Sequence, residues 1–204
     1  MQSLSARIKS LITEMGAPLI GIASLKALSD APPSADPRYL LPDANAVISF
    51  ALPLDRRRTD DFLAKRSWSP HCADRKETVQ KLYRTGDRVA DLLRSEGFSA
   101  LNVDINNNYR PEEGAADVSE MTEFHPQFSH RYAAVAAGIG RLGWSGNLMT
   151  REYGALVELG SVITSADLPP DAPIPNSDHP CDGCRVCTAV CPVGMIPPRG
   201  STSV

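Results

Sequence analysis

Residues 45–52, NAVISFAL, place a buried strand at the centre of the predicted fold. Six of these eight residues are apolar, and valine, isoleucine and phenylalanine favour extended backbone. A short and nearly continuous apolar run is typical of a strand that is covered on both faces. Cover on both faces requires other elements above and below the sheet, which favours an α/β fold.

Three more strands and three helices are predicted around this stretch. The further strands are apolar runs bounded by turn residues, at residues 18–23, 99–105 and 154–164. The helices show apolar residues at helical spacing or a compact small-residue core, at residues 4–15, 77–96 and 132–137. The remaining segments are predicted to be irregular, at residues 55–75, 106–127 and 167–180.

The alternation of strands and helices predicts two parts. Residues 1–165 are predicted to form an α/β domain, and residues 166–204 a linker followed by a small ferredoxin-like cysteine segment. A chain of 204 residues is long enough for one sizeable core.

Charge and hydropathy exclude several function classes. The net charge of −3 gives no basic footprint for nucleic acid, and Asp55, Asp60 and Asp61 flank the basic run at residues 56–58. We interpret that run as a solvated loop. No apolar run reaches membrane-spanning length and the N-terminus lacks a signal-peptide pattern, so a cytoplasmic, reducing location is the default expectation. In that compartment clustered cysteines favour metal binding over disulfides.

The sequence CDGCRVCTAVCP, residues 181–192, holds four of the five cysteines. The spacing of Cys181, Cys184, Cys187 and Cys191, with proline after the last, predicts a 4Fe-4S cluster. Zinc is the alternative metal. In two-cluster ferredoxins the fourth cysteine binds the other cluster, and this chain has no second run. The fourth ligand therefore stays open between Cys191, the remote Cys72, an external group and a second half that is missing from the given sequence.

Four closely spaced glycines follow a run of small residues at 133–137. Gly138, Gly140, Gly143 and Gly146 allow the backbone to approach a flat ligand closely. The alternative is a turn-rich packing motif without a ligand.

Several stretches resemble the cobalamin-dependent family of epoxyqueuosine reductases and reductive dehalogenases. They are PLIGIASL at 18–25, DANAVISFALPL at 43–54, SHRYAAVAAGIGRLGWSGNLMTREYGALVELGSVITSADLP at 129–169, and the cysteine run. The resemblance implies a nitroreductase-like α/β sandwich domain that holds a corrinoid, with an adjacent cluster supplying electrons. The second cluster motif of the family is absent from this sequence.

The resemblance also implies candidate site residues. Glu123 is the candidate proton donor, because it precedes a proline as an acidic residue does in the epoxyqueuosine branch; a solvated loop carboxylate is the alternative. Tyr109 and Tyr153 are candidates for the tyrosine of the dehalogenase branch. His125 and His130 could line a corrinoid pocket or coordinate cobalt, although a lone histidine is more often structural.

The implied function is that of an iron–sulfur oxidoreductase. Electrons would pass from the cluster to a bound cobalamin and reduce a small molecule or a modified nucleoside, with a protein as possible redox partner. The alternatives are a non-catalytic electron-transfer or corrinoid-handling protein, a degenerate chain, and a flavin enzyme. FMN is the less favoured cofactor, since no phosphate-cradling motif is present.

Overall fold

A computed structural model describes residues 2–105, 128–175, 181 and 183–196 of the chain. The helices are α1 (Leu4–Glu14), α2 (Arg56–Leu63), α3 (Ser69–Ser95), α4 (His130–Ala136) and α5 (Val186–Val190). The strands are β1 (Leu19–Ser24), β2 (Ala46–Pro53), β3 (Ala100–Asn102), β4 (Arg141–Leu142), β5 (Leu148–Met149) and β6 (Val157–Thr164). Short 3₁₀ turns lie between β1 and β2.

The four predicted strands form one sheet in the order β1-β2-β6-β3. Every neighbouring pair is antiparallel, and Ile48 of β2 lies opposite both Ile22 of β1 and Val162 of β6. Since β2 and β3 both run antiparallel to β6, they are parallel to each other. The connection between β2 and β3 includes α2 and α3, and it is a crossover that places β3 two positions from β2 in the sheet.

Helices cover the two faces of the sheet with side chains of different size. On one face Ile48 and Phe50 belong to a core with large residues of α1 and α3, such as Ile12 and Leu82. On the other face β2 contributes to a core rich in the alanines of α4. The prediction that residues 45–52 form a strand buried on both faces is confirmed, and so is the α/β class.

Glycine allows the alanine-rich layer to lie close to the sheet. A Cβ atom at Gly21 of β1 would overlap the carbonyl oxygen of Ala137, which ends α4. A larger residue at position 21 would therefore push α4 away from β1.

The prediction of an irregular segment at residues 55–75 is wrong. Residues 56–63 form α2, and α3 already begins at Ser69. The Asp55 carboxylate caps α2 by accepting a hydrogen bond from the Arg58 N–H at 2.8 Å. Most side chains of α2 are exposed, so its sequence lacks the apolar periodicity on which helix prediction depends. None of the described helices is long and apolar enough to cross a membrane.

Candidate functional site

The residues after β6 are bound tightly to the domain. We call residues 166–175 the docked linker. Asp171 fixes its middle to the outer edge of β1: the Asp171 N–H donates to the Ile22 carbonyl at 2.8 Å, and the Ile22 N–H donates to the Asp171 carboxylate at 2.9 Å. Lys9 of α1 forms an ion pair with the same carboxylate at 2.6 Å. The path of the chain toward the cysteines is therefore set by α1 and β1.

The docked linker then passes along the start of the β4–β5 hairpin, residues 141–149. Gly138 has a φ of +74°, and a Cβ atom there would overlap the carbonyl oxygen of Ala172. The Arg141 guanidinium donates to the carbonyl of Ile174 at 3.1 Å and to that of Pro175. The hairpin thus guides the linker toward Cys181.

A tight turn joins β4 to β5. The Gly146 N–H donates to the Gly143 carbonyl at 2.9 Å, and the Gly143 N–H donates to the Asn147 carbonyl at 2.7 Å. Arg131 of α4 donates to the Gly146 carbonyl at 2.6 Å. The turn is therefore held both by its own bonds and by α4.

This turn contacts the first cysteine of the predicted cluster site. The Trp144 backbone N–H donates to the Cys181 sulfur at 3.3 Å. A Cβ atom at Gly143 would lie 3.4 Å from the same sulfur. We call Gly138, Gly140, Gly143 and Gly146 the glycine block. The glycine block and the cysteine segment, residues 181–196, meet at this point although they are far apart in sequence.

The other cysteines lie on a short turn and helix. The Cys184 N–H donates to the Cys181 carbonyl at 3.1 Å, and Cys187 lies on α5. Hydrogen bonds from the backbone N–H groups of Val193, Ile196, Met195 and Gly194 lower the pKa of the Cys191 thiol. These bonds favour the thiolate, which is the form that binds metal.

The donor set fits an iron–sulfur cluster in chemistry. Four thiols at ferredoxin spacing are present, and backbone N–H groups donate to the sulfurs of Cys181 and Cys191. Among the described residues, however, no three His, Cys, Asp or Glu side chains are close enough together to hold a metal ion. The fit of the four cysteines to a cluster therefore rests on their chemistry and their spacing.

The four glycines predicted to bind a cofactor are in contact with the chain itself. Gly138 meets the docked linker, Gly140 lies where a Cβ atom would be 2.6 Å from the Met149 carbonyl oxygen, and Gly143 is near Cys181. At Gly146 a Cβ atom would lie 3.8 Å from the Arg131 guanidinium. These contacts are those of a packing motif, so a flat ligand at the glycines remains a prediction. Tyr153, half-buried in the turn before β6, also remains a predicted ligand contact.

His130 is buried within the domain. Its Nε2 lies 2.9 Å from the Asp104 carbonyl oxygen, and its Nδ1 lies 2.9 Å from the Ser161 hydroxyl. A carbonyl oxygen can only accept, so Nε2 donates and Nδ1 accepts from Ser161. Burial lowers the pKa of His130, against a smaller opposing effect of the hydrogen bond to Asp104. This geometry favours the structural interpretation of His130 over cobalt coordination.

The remaining candidates are Glu123, Tyr109, His125 and Cys72. Glu123, Tyr109 and His125 lie outside the described residues. Cys72 is exposed on the first turn of α3. Two surface cavities of about 400 and 390 Å³ are lined by residues 25–39 and 62–68, respectively, and no predicted site residue lines either one.

Sequence reasoning missed Asp171, Arg141 and Trp144. Asp171 lies in a proline-rich stretch without periodicity, and Trp144 acts through its backbone N–H. Only the two glycines that flank Trp144 and Ser145 could have indicated a special turn.

Comparison with known proteins gives the same family as the sequence resemblance. No protein-family model matches the chain. The chain is 40% identical over 167 residues to an epoxyqueuosine reductase from Synechocystis sp., covering 78% of this chain and 48% of the relative. It is 26% identical over 168 residues to one from Bacillus cereus, covering 79% of this chain and 38% of the relative. The chain thus spans about half or less of the length of these relatives.

Solved structures share the fold. A selenomethionine-labelled epoxyqueuosine reductase matches 95% of this chain with a TM-score of 0.66 and 20% identity, over 53% of its own length. An epoxyqueuosine reductase bound to an epoxyqueuosine-modified tRNA-Tyr stem loop matches 95% of this chain, over 52% of its own length, with a TM-score of 0.60 and 19% identity. A B12-dependent reductive dehalogenase also matches 95% of this chain, over 23% of its own length, with a TM-score of 0.57 and 19% identity. The predicted resemblance is confirmed: the curated homologues are named epoxyqueuosine reductase, and the structural neighbours include both enzyme classes.

Proposed function

We propose that this chain, which has an oxidoreductase fold like that of epoxyqueuosine reductases and reductive dehalogenases, passes electrons from a 4Fe-4S cluster to a bound corrinoid. Cys181, Cys184, Cys187 and Cys191 are the proposed cluster ligands. The glycine block and Tyr153 are the proposed corrinoid contacts. The reaction is the reduction of an organic substrate, and a modified nucleoside is the favoured class.

The observation that carries this proposal is the contact between the β4–β5 turn and Cys181. An electron donor and acceptor must lie close together, and the bond from the Trp144 N–H to Cys181 supports such proximity, because Trp144 lies among the glycines proposed to contact the corrinoid. The docked linker supports this arrangement, because Asp171 and Arg141 fix the chain between the sheet and the cysteines.

The residues of the chain have defined parts in this proposal. The thiolates hold iron, the N–H groups of Trp144 and of residues 193–196 stabilise sulfur charge, and the hairpin positions the cysteine segment. When bound, the corrinoid supplies cobalt-centred reduction that no side chain can perform. Glu123 is the proposed source of a proton.

Homologues favour a modified nucleoside as the substrate. Several curated relatives are named epoxyqueuosine reductase, and one solved neighbour is bound to a modified tRNA stem loop. Removal of an epoxide oxygen as water consumes two electrons and two protons, so an external reductant is required. The net charge of −3 favours recognition of the nucleoside itself over a broad phosphate surface.

The test uses the full chain reconstituted anaerobically with iron and sulfide. We expect four irons per chain, saturable binding of cobalamin with a shift to its base-off spectrum, and conversion of an epoxyqueuosine-containing stem loop by the chemically reduced protein. A chain with serine at all four cysteines of the run is the control, and it should lose the iron and the conversion of the stem loop while it keeps cobalamin binding. A fully loaded cluster without cobalamin binding would contradict the corrinoid part of the proposal.

The second candidate is an electron-transfer protein that acts on the cofactor of a partner. The contacts of Gly138, Gly140 and Gly143 within the chain favour it, because these glycines already have packing roles. This candidate predicts a reversible cluster and no cobalamin binding in the same titration.

A further inference from the structure

The β4–β5 turn offers one N–H group to the cysteine segment in a fixed direction. In this four-residue turn the Gly146 N–H bonds to the Gly143 carbonyl, so the N–H of Trp144, the first central residue, takes no part in the closing bond. It donates instead to Cys181 at 3.3 Å. Arg131 holds the far end of the turn through the Gly146 carbonyl.

A donor at this sulfur acts differently on the two redox states of a cluster. The reduced cluster carries one more negative charge than the oxidised cluster, and that charge is shared with the ligating sulfurs. An N–H group therefore stabilises the reduced state more and raises the reduction potential. Because the donor belongs to the backbone, its strength does not depend on the side chain at position 144.

We infer that the backbone N–H of Trp144 sets the reduction potential of the cluster through Cys181, which makes the β4–β5 turn a positioning element for electron transfer. This inference rests on the proposed function in so far as Cys181 is a cluster ligand. The turn also contains Gly143 and Gly146. The same four residues therefore contact the electron donor, the cluster at Cys181, and belong to the proposed binding site of the electron acceptor, the corrinoid.

The packing around Cys181 supports a fixed contact. A methyl group at Gly143 would lie 2.8 Å from the Met149 side chain and 3.4 Å from the Cys181 sulfur, so the sulfur lies against the turn itself. The docked linker delivers Cys181 to this position through Asp171 and the bonds of Arg141.

The direct test replaces the amide of residue 144 by an ester, using indole-3-lactic acid in place of tryptophan. This change removes the N–H and keeps the side chain. Two matched controls are Trp144→Phe, which keeps the N–H, and an ester at residue 145, which places the same backbone change in the same turn. Each full chain is reconstituted with iron and sulfide, and the midpoint potential of the cluster is measured by a redox titration followed by EPR.

We expect a lower midpoint potential in the residue-144 ester and the unaltered value in both controls. A normal cluster with an unchanged potential in the residue-144 ester, or equal shifts in both esters, would overturn the inference alone. Loss of the cluster only in the residue-144 ester would also overturn it, since the N–H would then serve assembly. Failure of the unaltered chain to take up iron and sulfide would overturn the proposed function and the inference with it.

Discussion

The sheet core and the cysteine segment obtain their order in different ways. Phe50 and Ile48 of β2 are fully buried in the core that the sheet forms with α1 and α3. In the cysteine segment, by contrast, Val190 is 69% exposed and Met195 is 80% exposed. The core buries enough apolar surface to define its own shape, whereas the exposed segment buries little, so we expect it to gain order when its thiols bind a metal. The contrast predicts that changes in the sheet core alter the stability of the fold, and that changes at the thiols alter ligand uptake.

Removal of a large side chain from the sheet should give the largest loss of stability. We expect Phe50→Ala to lower the free energy of unfolding by about 3–5 kcal/mol, because it leaves a cavity in the core. Tyr39→Ala is the control, since Tyr39 is 74% exposed, and it should change the value by less than about 0.5 kcal/mol. Urea unfolding followed by circular dichroism measures both. Similar losses of free energy in the two variants would contradict the view that buried side chains of the sheet core determine the stability of the protein.

The pH dependence of stability tests the polar part of the core. Burial lowers the pKa of His130, so the unfolded chain takes up the proton first as pH falls below about 6.5. We expect the free energy of unfolding to be fully retained above that pH and to decline below it, by at most about 1.4 kcal/mol for each pH unit.

The His130→Gln variant should show a shallower decline between pH 6.5 and 5. His71→Gln is the matched control, because His71 packs on Phe62 outside the sheet core. Denaturant titrations at a series of pH values give the slopes. An identical slope in His130→Gln and the unaltered protein would assign the pH dependence to other groups.

Variants at Asp171 test the joint between the two regions. Asp171→Asn keeps an acceptor for the Ile22 N–H and loses the ion pair with Lys9. We therefore expect it to lower the free energy of unfolding by less than about 1 kcal/mol. Asp171→Ala loses both contacts, and we expect about 1–2 kcal/mol. Asp171→Ala should also speed proteolytic cleavage within the docked linker, and limited digestion measures that rate. Equal behaviour of the two variants would mean that the bond to β1 contributes nothing.

Replacement of Cys181, Cys184, Cys187 and Cys191 by serine should affect the domain least. We expect a change below about 0.5 kcal/mol in the free energy of unfolding of the metal-free protein, together with complete loss of iron uptake. Cys72→Ser should keep full iron uptake, because Cys72 is an exposed residue of α3 and is not one of the four cysteines of the run. Iron analysis after reconstitution decides the outcome. A strongly destabilised domain would show that the cysteine segment contributes to the core.

The sheet could be predicted from sequence because its information is local. Residues 45–52 and 154–164 are short apolar runs bounded by turn residues, and this pattern predicts buried strands. Helix α2 could not be predicted in this way, since a charged helix is held by the Asp55 cap and by the contact of Arg58 with Asp74 at 3.5 Å. Such bonds leave no periodic pattern in the sequence.

The same distinction divides the candidate site. The spacing of the four cysteines is a local signal, and it predicts a metal-binding run without any structure. The bonds of Asp171 to Lys9 and of Trp144 to Cys181 join residues 162 and 37 positions apart. A backbone N–H is present in almost every residue, so its use at Trp144 cannot be found in the sequence.

The attachment of Asp171 to β1 also has a consequence for self-association. Strand β1 lies at one edge of the sheet, where unpaired N–H and C=O groups can template the addition of a strand from another molecule. Asp171 occupies both backbone groups of Ile22 and places a carboxylate at that edge. The docked linker thus covers part of the exposed edge of β1, and covered edges resist edge-to-edge pairing with another molecule.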